Sequence, residues 1–220
     1  MTAVNPKNLK IEMVHDIVCS WCPIGYSNIK AAINNLNIEV DFHFLPFELN
    51  PKMTAAGESI ASYFSQRMGW SENQLVAYQQ SLVTTAAKAG VNIDFSKRTH
   101  YYHSRKAHLL MHWAERFNKQ TALNELLINA YFKDGLNISD ITVLLDIAEA
   151  VGLNRQKTET ALASTHLNQG LEEKSSRLKT LNISSVPAFI VNGNSLISGS
   201  NSVQYFEDAL SAFINEPLSV

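Results

Sequence analysis

An α/β fold with a βαβ unit at the front, an αββα unit at the back and an all-helical block between them is what this 220-residue chain predicts. Alternating apolar residues give way to helical spacing and then return before Pro46. From Ser59 to about Leu167 helical spacing continues without a strand signal. Two short apolar runs flanking Asn192-Gly193 then precede a last amphipathic segment.

The elements follow in order. Residues 11–17 alternate Ile11, Met13 and His15 with Glu12, Val14 and Asp16, the pattern of a strand. From Cys22 to about Leu36, Ile24, Ile29, Ala32, Ile33 and Leu36 fall at helical intervals, and Asn37 closes the helix. Ile38, Val40, Phe42 and Phe44 alternate again up to Pro46. The connection is long enough to make the two strands parallel. The turn-rich stretch Pro46 to Gly57 ends this part.

In the middle block Ser71-Glu72 reads as a helix start, with Leu75, Tyr78, Leu82 and Ala86 on one face before Gly90. Ala107, Leu110, Met111, Ala114 and Phe117 form a second stripe, and Leu123, Leu126, Leu127, Ala130, Tyr131 and Phe132 a third that stops at Asp134-Gly135. Ile141 to Val151 ends at Gly152, and a further helix begins near Asn154, so four or five helices are expected. After Gly170 come a charged helix, Leu171 to Leu181, and a buried strand, Val186 to Val191. A hairpin turn at Asn192-Gly193 leads to a partner strand, Ser195 to Ser198. Val203 to Ile214 is the last helix. Residues 1–57 and 168–220 should therefore form one α/β domain, with 58–167 as an inserted helical domain.

Composition excludes more than it assigns. A net charge of −2 from 18 basic and 20 acidic residues, with no block of either sign, leaves no footprint for nucleic acid or anionic membranes. No apolar run approaches the length of a bilayer span. Met1 to Val18 lack the features of a secretory leader, so a cytoplasmic location is expected. There a structural disulfide is unusual and a transient redox pair is not.

Cys19-Ser20-Trp21-Cys22 contains the only two cysteines of the chain. A strand feeding a C-x-x-C at a helix start is the geometry of dithiol–disulfide chemistry. A thiol attacks only as its thiolate, with an unperturbed pKa of about 8.5. Unpaired N–H groups and the dipole at a helix N-terminus lower that value. Cys19 is expected exposed and activated at the cap, as nucleophile, and Cys22 more buried, as resolving thiol. An inert buried pair is the plainer alternative. A zinc site wants four ligands, and no second C-x-x-C supplies the rest. His108 and His112 stand four apart on one helix, after His100 and His103. With no acidic ligand at a matching position, no metal site is expected.

The predicted order is that of the thioredoxin fold with a helical insertion. Five segments carry a resemblance to a known family: Asp16 to Gly25, Phe47 to Pro51, Ser104 to Leu110, Ala130 to Ile138, and Ser185 to Phe189. In these the chain resembles the DsbA-like thioredoxin-domain proteins, most closely the FrnE-like branch, nearly end to end. The resemblance implies a protein-disulfide oxidoreductase acting on thiol- or disulfide-containing proteins or small molecules. It implies no bound cofactor, with glutathione admissible as redox co-substrate. It makes Pro187 a cis proline beside the C-x-x-C, with the backbone of Val186 pairing with an extended substrate. It also places His108 on a helix facing the active site, where it would line the substrate groove. Without the resemblance, Pro187 reads equally well as a plain turn proline.

Trp21 is expected to cover the sulfur pair or to offer a substrate peptide an apolar contact. Ser20 stands where the branch commonly has proline, and the loop lacks the histidine of strongly oxidising relatives, so the direction of exchange is open. The fold also resembles kappa-class glutathione transferases and chromene-carboxylate isomerases, which keep serine where Cys19 stands. A glutathione-dependent transferase or isomerase is therefore one alternative, and a non-catalytic peptide-binding module another. The apolar helix faces suit a core or a homodimer surface equally.

Overall fold

The computed structural model describes residues 9–215; Met1 to Asn8, part of the stretch read above as free of a leader, and residues 216–220 lie outside it. β1 (Leu9–His15) leads through α1 (Trp21–Asn35) to β2 (Val40–Pro46), which pairs with β1 in parallel and sets Met13 opposite Phe44. The chain then runs through β3 (Glu58–Ser59), α2 (Ile60–Met68), α3 (Glu72–Lys88) and β4 (His100–Tyr101). α4 (Arg105–Glu115) and α5 (Gln120–Ile128) come next, and α5 continues into a π-helical turn, Asn129–Lys133. α6 (Ile141–Ala150), α7 (Arg155–Leu162) and α8 (Thr165–Thr180) complete the helices before the sheet resumes. β5 (Ala188–Val191) and β6 (Ser195–Ser198) form the hairpin, and α9 (Val203–Asn215) closes the fold. The main sheet has the order β2-β1-β5-β6, with β5 antiparallel to both its neighbours.

β1 departs from simple alternation, because every residue of it except Lys10 is buried. The cause is its central place in a sheet covered on both faces. Ile11 and Met13 pack with Ile29 of α1 and with Phe206 and Leu210 of α9. Val14 faces the other way and joins Leu45, Leu178, Ile183, Ala188 and Ile190. Glu12 lies on that second side, 5% exposed, and the guanidinium of Arg177 from α8 donates to both its carboxylate oxygens at 2.7 Å.

Six helices, α2 to α7, fill the middle block where four or five were expected, and three further features differ from the sequence reading. The helical block contains a two-stranded sheet, β3 with β4, in which Ser59 stands opposite His100. Strands of two residues carry too little alternation to register as a pattern. The helix expected from Leu171 begins at Thr165 and runs through Gly170. That glycine does not interrupt it, and a Cβ there would lie 2.6 Å from His112 Nε2, so α8 uses Gly170 to approach α4 closely. Finally, the stripe ending at Phe132 widens into the π turn, whose neighbours Tyr131 and Phe132 are both completely buried.

Candidate active site

The two cysteines sit where β1 ends and α1 begins. The Cys19 amide donates to the Asp16 carbonyl at 3.0 Å and the Cys22 amide to the Cys19 carbonyl at 3.1 Å, which turns the chain into the helix. Ser20 occupies the cap position in helical conformation and makes no side-chain cap bond, and no acidic residue stands in the first turn. The N–H groups of Trp21 and Cys22 at this start also lie within reach of the Cys19 sulfur. Pro23 fits within this turn because its missing N–H would have had no helical partner.

A second loop completes the pocket. The Val186–Pro187 peptide bond is cis, and the Cys19 thiol reaches the Val186 carbonyl at 3.9 Å. Gly25 permits this approach: a Cβ there would lie 3.0 Å from Pro187 Cγ and 3.3 Å from Ser200 Cα. Both cysteines are free thiols and both are buried, Cys19 at 6% and Cys22 at 2% exposure.

Their surroundings drive the thiols apart. A hydrogen bond from the Cys22 thiol is the largest influence on Cys19. With the N–H groups of Trp21 and Cys22 it outweighs burial and the nearby Asp16 charge, so the Cys19 pKa falls below its ordinary value. Burial is the largest influence on Cys22 and, together with the proximity of Cys19, raises its pKa well above the ordinary value. One sulfur is prepared to be a thiolate and the other to keep its proton.

Beneath the loop lies a completely buried acid. Asp16 Oδ2 accepts from the Leu49 amide at 2.7 Å and Oδ1 from the Val18 amide at 3.3 Å, tying the C-x-x-C loop to the segment after β2. His108 Nε2 stands 3.0 Å from the Phe47 carbonyl and 3.4 Å from Asp16 Oδ1. On the side of the helical block, Arg98 donates to the Val18 carbonyl at 3.2 Å.

Residues 10–211 match the DSBA-like thioredoxin domain family. The chain belongs to that family. A Bacillus subtilis relative, described as the uncharacterised protein YwbO, is 29% identical over 203 residues, spanning 91% of this chain and 95% of the relative. Among solved structures, a probable DsbA oxidoreductase from Streptomyces coelicolor superposes with a TM-score of 0.88 at 22% identity, covering 97% of this chain and 94% of that one. The cytosolic disulfide reductase DsbM from Pseudomonas aeruginosa, in a structure with GSH, superposes with a TM-score of 0.64 at 16% identity, covering 93% and 96%. These likenesses establish the DsbA-like thioredoxin fold.

Within this DSBA-like domain the structure brings Cys19, Cys22, Val186 and Pro187 together, with Trp21 38% exposed on the first turn of α1. Two expectations are corrected. Cys19 is not an exposed cap residue, because its sulfur is covered by the Val186 loop and packs within the main core. His108 does not face an open substrate groove: at 1% exposure its ring is turned inward onto Asp16 and Phe47. Sequence reasoning missed Asp16, which alternation assigned to an outward face, and Arg98, which lies between elements. For Asp16 the available signal was an acid at the end of an otherwise buried strand.

Proposed function

We propose that the protein is a thiol–disulfide oxidoreductase in which Cys19 is the nucleophile and Cys22 the resolving thiol. The observation that carries this reading is the placement of two adjacent free thiols at an uncapped helix start, with the Cys19 sulfur against the Val186 carbonyl, surroundings that favour the thiolate at Cys19 and the thiol at Cys22. In the oxidising direction a substrate thiolate attacks the Cys19 sulfur of the enzyme disulfide. The Cys19–Cys22 bond breaks and Cys22 takes up a proton. A second substrate thiolate then attacks the substrate sulfur of the mixed disulfide and releases Cys19 as thiolate. In the reducing direction Cys19 attacks a substrate disulfide, and Cys22, losing its proton, displaces the substrate thiol.

The buried nucleophile favours substrates that enter in extended form along Val186–Pro187, with Trp21 as apolar contact. Proteins, peptides and glutathione are the substrate classes that fit, and the glutathione-bound DsbM supports glutathione as co-substrate. We also read residues 58–167 as an insertion that shapes this entrance. Turnover of a dithiol peptide or of insulin in glutathione buffers tests the assignment. Cys19→Ser should abolish exchange and Cys22→Ser should accumulate a mixed disulfide. Glutathione conjugation that survives Cys22→Ser, without disulfide turnover, would favour the transferase reading instead.

A further inference from the structure

The exchange reaction as described makes no use of Arg98, although this is one of the largest fully buried side chains among the described residues. A guanidinium is always charged and is among the costliest groups to bury without a counter-ion. Among the described residues no carboxylate lies within ion-pairing distance of it. Its Nε has no hydrogen-bond partner. The charge is held instead by aromatic rings: Tyr131 and Phe132 at 4.8 Å, Tyr101 at 4.9 Å and Phe95 at 5.3 Å from its carbon centre.

The site is built for this. The π turn supplies Tyr131 and Phe132 as neighbours, and β4 supplies Tyr101. The Arg98 amide donates to the Asp94 carbonyl at 2.8 Å, and the Asp94 amide donates to the Phe132 carbonyl at 2.8 Å. Gly135, at φ +69°, lets that turn close, since a Cβ there would lie 2.3 Å from the Lys97 carbonyl oxygen. Beside the Tyr101 and Tyr131 phenols, the guanidinium donates to the carbonyl of Val18, the residue bonded to Cys19.

We infer that Arg98 is the positioning charge of the dithiol: its missing counter-ion is the Cys19 thiolate, which exists only in the reduced state. Resting on the oxidoreductase reading above, this makes Arg98 a determinant of redox potential, in a loop without a histidine of its own. The phenols of Tyr78 and Tyr101 lie within electrostatic reach of both Cys19 and Arg98. The groups acting on Cys19 are Asp16, which opposes its thiolate, and Cys22, which donates to it; the two phenols lie within reach, and Arg98 approaches through the carbonyl of the preceding residue, Val18. Reduction by glutathione balances as enzyme disulfide plus two glutathiones giving Cys19 thiolate, Cys22 thiol, one proton and glutathione disulfide. A charge that stabilises the thiolate stabilises the products and makes the disulfide the stronger oxidant.

The test is the dithiol–disulfide equilibrium of the full chain in glutathione buffers, alongside the pH midpoint of Cys19 alkylation. Arg98→Gln keeps a donor for Val18 but loses the charge. It should move the equilibrium about tenfold toward the disulfide, roughly 30 mV, and raise the alkylation midpoint. Arg98→Lys keeps the charge and should stay within about threefold of wild type. A folded R98Q that matches wild type overturns the inference, as does an R98K shifted as far as R98Q. If R98Q does not fold, R98K alone carries the test, and a tenfold shift in it is the overturning result. Failure of the wild type to exchange with glutathione or a dithiol peptide is a different outcome, which removes the proposed function itself.

Discussion

Two arginines in this molecule solve opposite problems. Arg177 reaches in from α8, partly exposed, and closes a two-pronged bond on the buried carboxylate of Glu12. Arg98 is buried in the helical block with rings and phenols around it, and it donates to a backbone carbonyl rather than to a carboxylate. The first charge is matched by a fixed acid whatever the cysteines are doing. The second has a match only when Cys19 is ionised. The comparison teaches that a buried charge which holds the fold together brings its partner with it, whereas one serving chemistry waits for its partner to form.

The largest effect should come from removing the conditional partner. Cys19→Ser is expected to lower disulfide turnover by about a thousandfold or more while leaving the fold intact. A near-normal rate in an insulin or dithiol-peptide assay would break the comparison at once.

Removing the fixed pair should act on stability instead. Arg177→Met leaves Glu12 only the looser partner Lys10, at 3.6 Å, and should cost about 2 kcal/mol, less than for a wholly buried pair because Arg177 is part-exposed. The hydrogen bond from Arg177 holds the Glu12 carboxyl below its ordinary value, so the unfolded chain takes up the proton first. The stabilisation is therefore present above roughly pH 4.3, the unfolded value. It is lost as pH falls through the lower folded value. Urea midpoints between pH 2 and 6 (roughly, bracketing that value) should fall steeply for wild type and more shallowly for R177M, with redox turnover unchanged at neutral pH.

Asp16→Asn sharpens the contrast on the catalytic side. It removes the negative charge that opposes the Cys19 thiolate, so the alkylation midpoint should drop by roughly half to one pH unit, opposite in sign to Arg98→Gln. The amide also offers only one acceptor where Val18 and Leu49 use two oxygens, so the melting temperature should fall too. An upward midpoint would contradict the charge argument. The smallest effect belongs to Gly170→Ala, which should cost under about 1 kcal/mol as the His112 ring moves aside. In a His112→Ala background the same change should be neutral or slightly stabilising by helix propensity, read by urea unfolding.

The main sheet and most helices were legible because their signals are local. Alternation around Val40 to Phe44, the stripes of α3 and α6, and the Asn192-Gly193 turn each report on neighbours in sequence. The C-x-x-C was legible for the same reason. Residues whose role depends on distant chain were not. Whether Cys19 is covered depends on Val186, and whether Arg98 is caged depends on Tyr131, Phe132 and Gly135. His108 misled because its helix packs near the site, yet its ring turns inward onto distant chain, Asp16 and the Phe47 carbonyl. Gly170 misled because a glycine chosen for close packing looks, in sequence, like one that ends a helix.

The central claim is that the two thiols differ in readiness, and alkylation of the folded, reduced protein across pH with peptide mapping measures this directly. The expected result is that Cys19 reacts first, with a midpoint below the ordinary thiol value of about 8.5, while Cys22 stays protected. Equal reaction of both sulfurs, or a Cys19 midpoint at or above that value, would contradict the account.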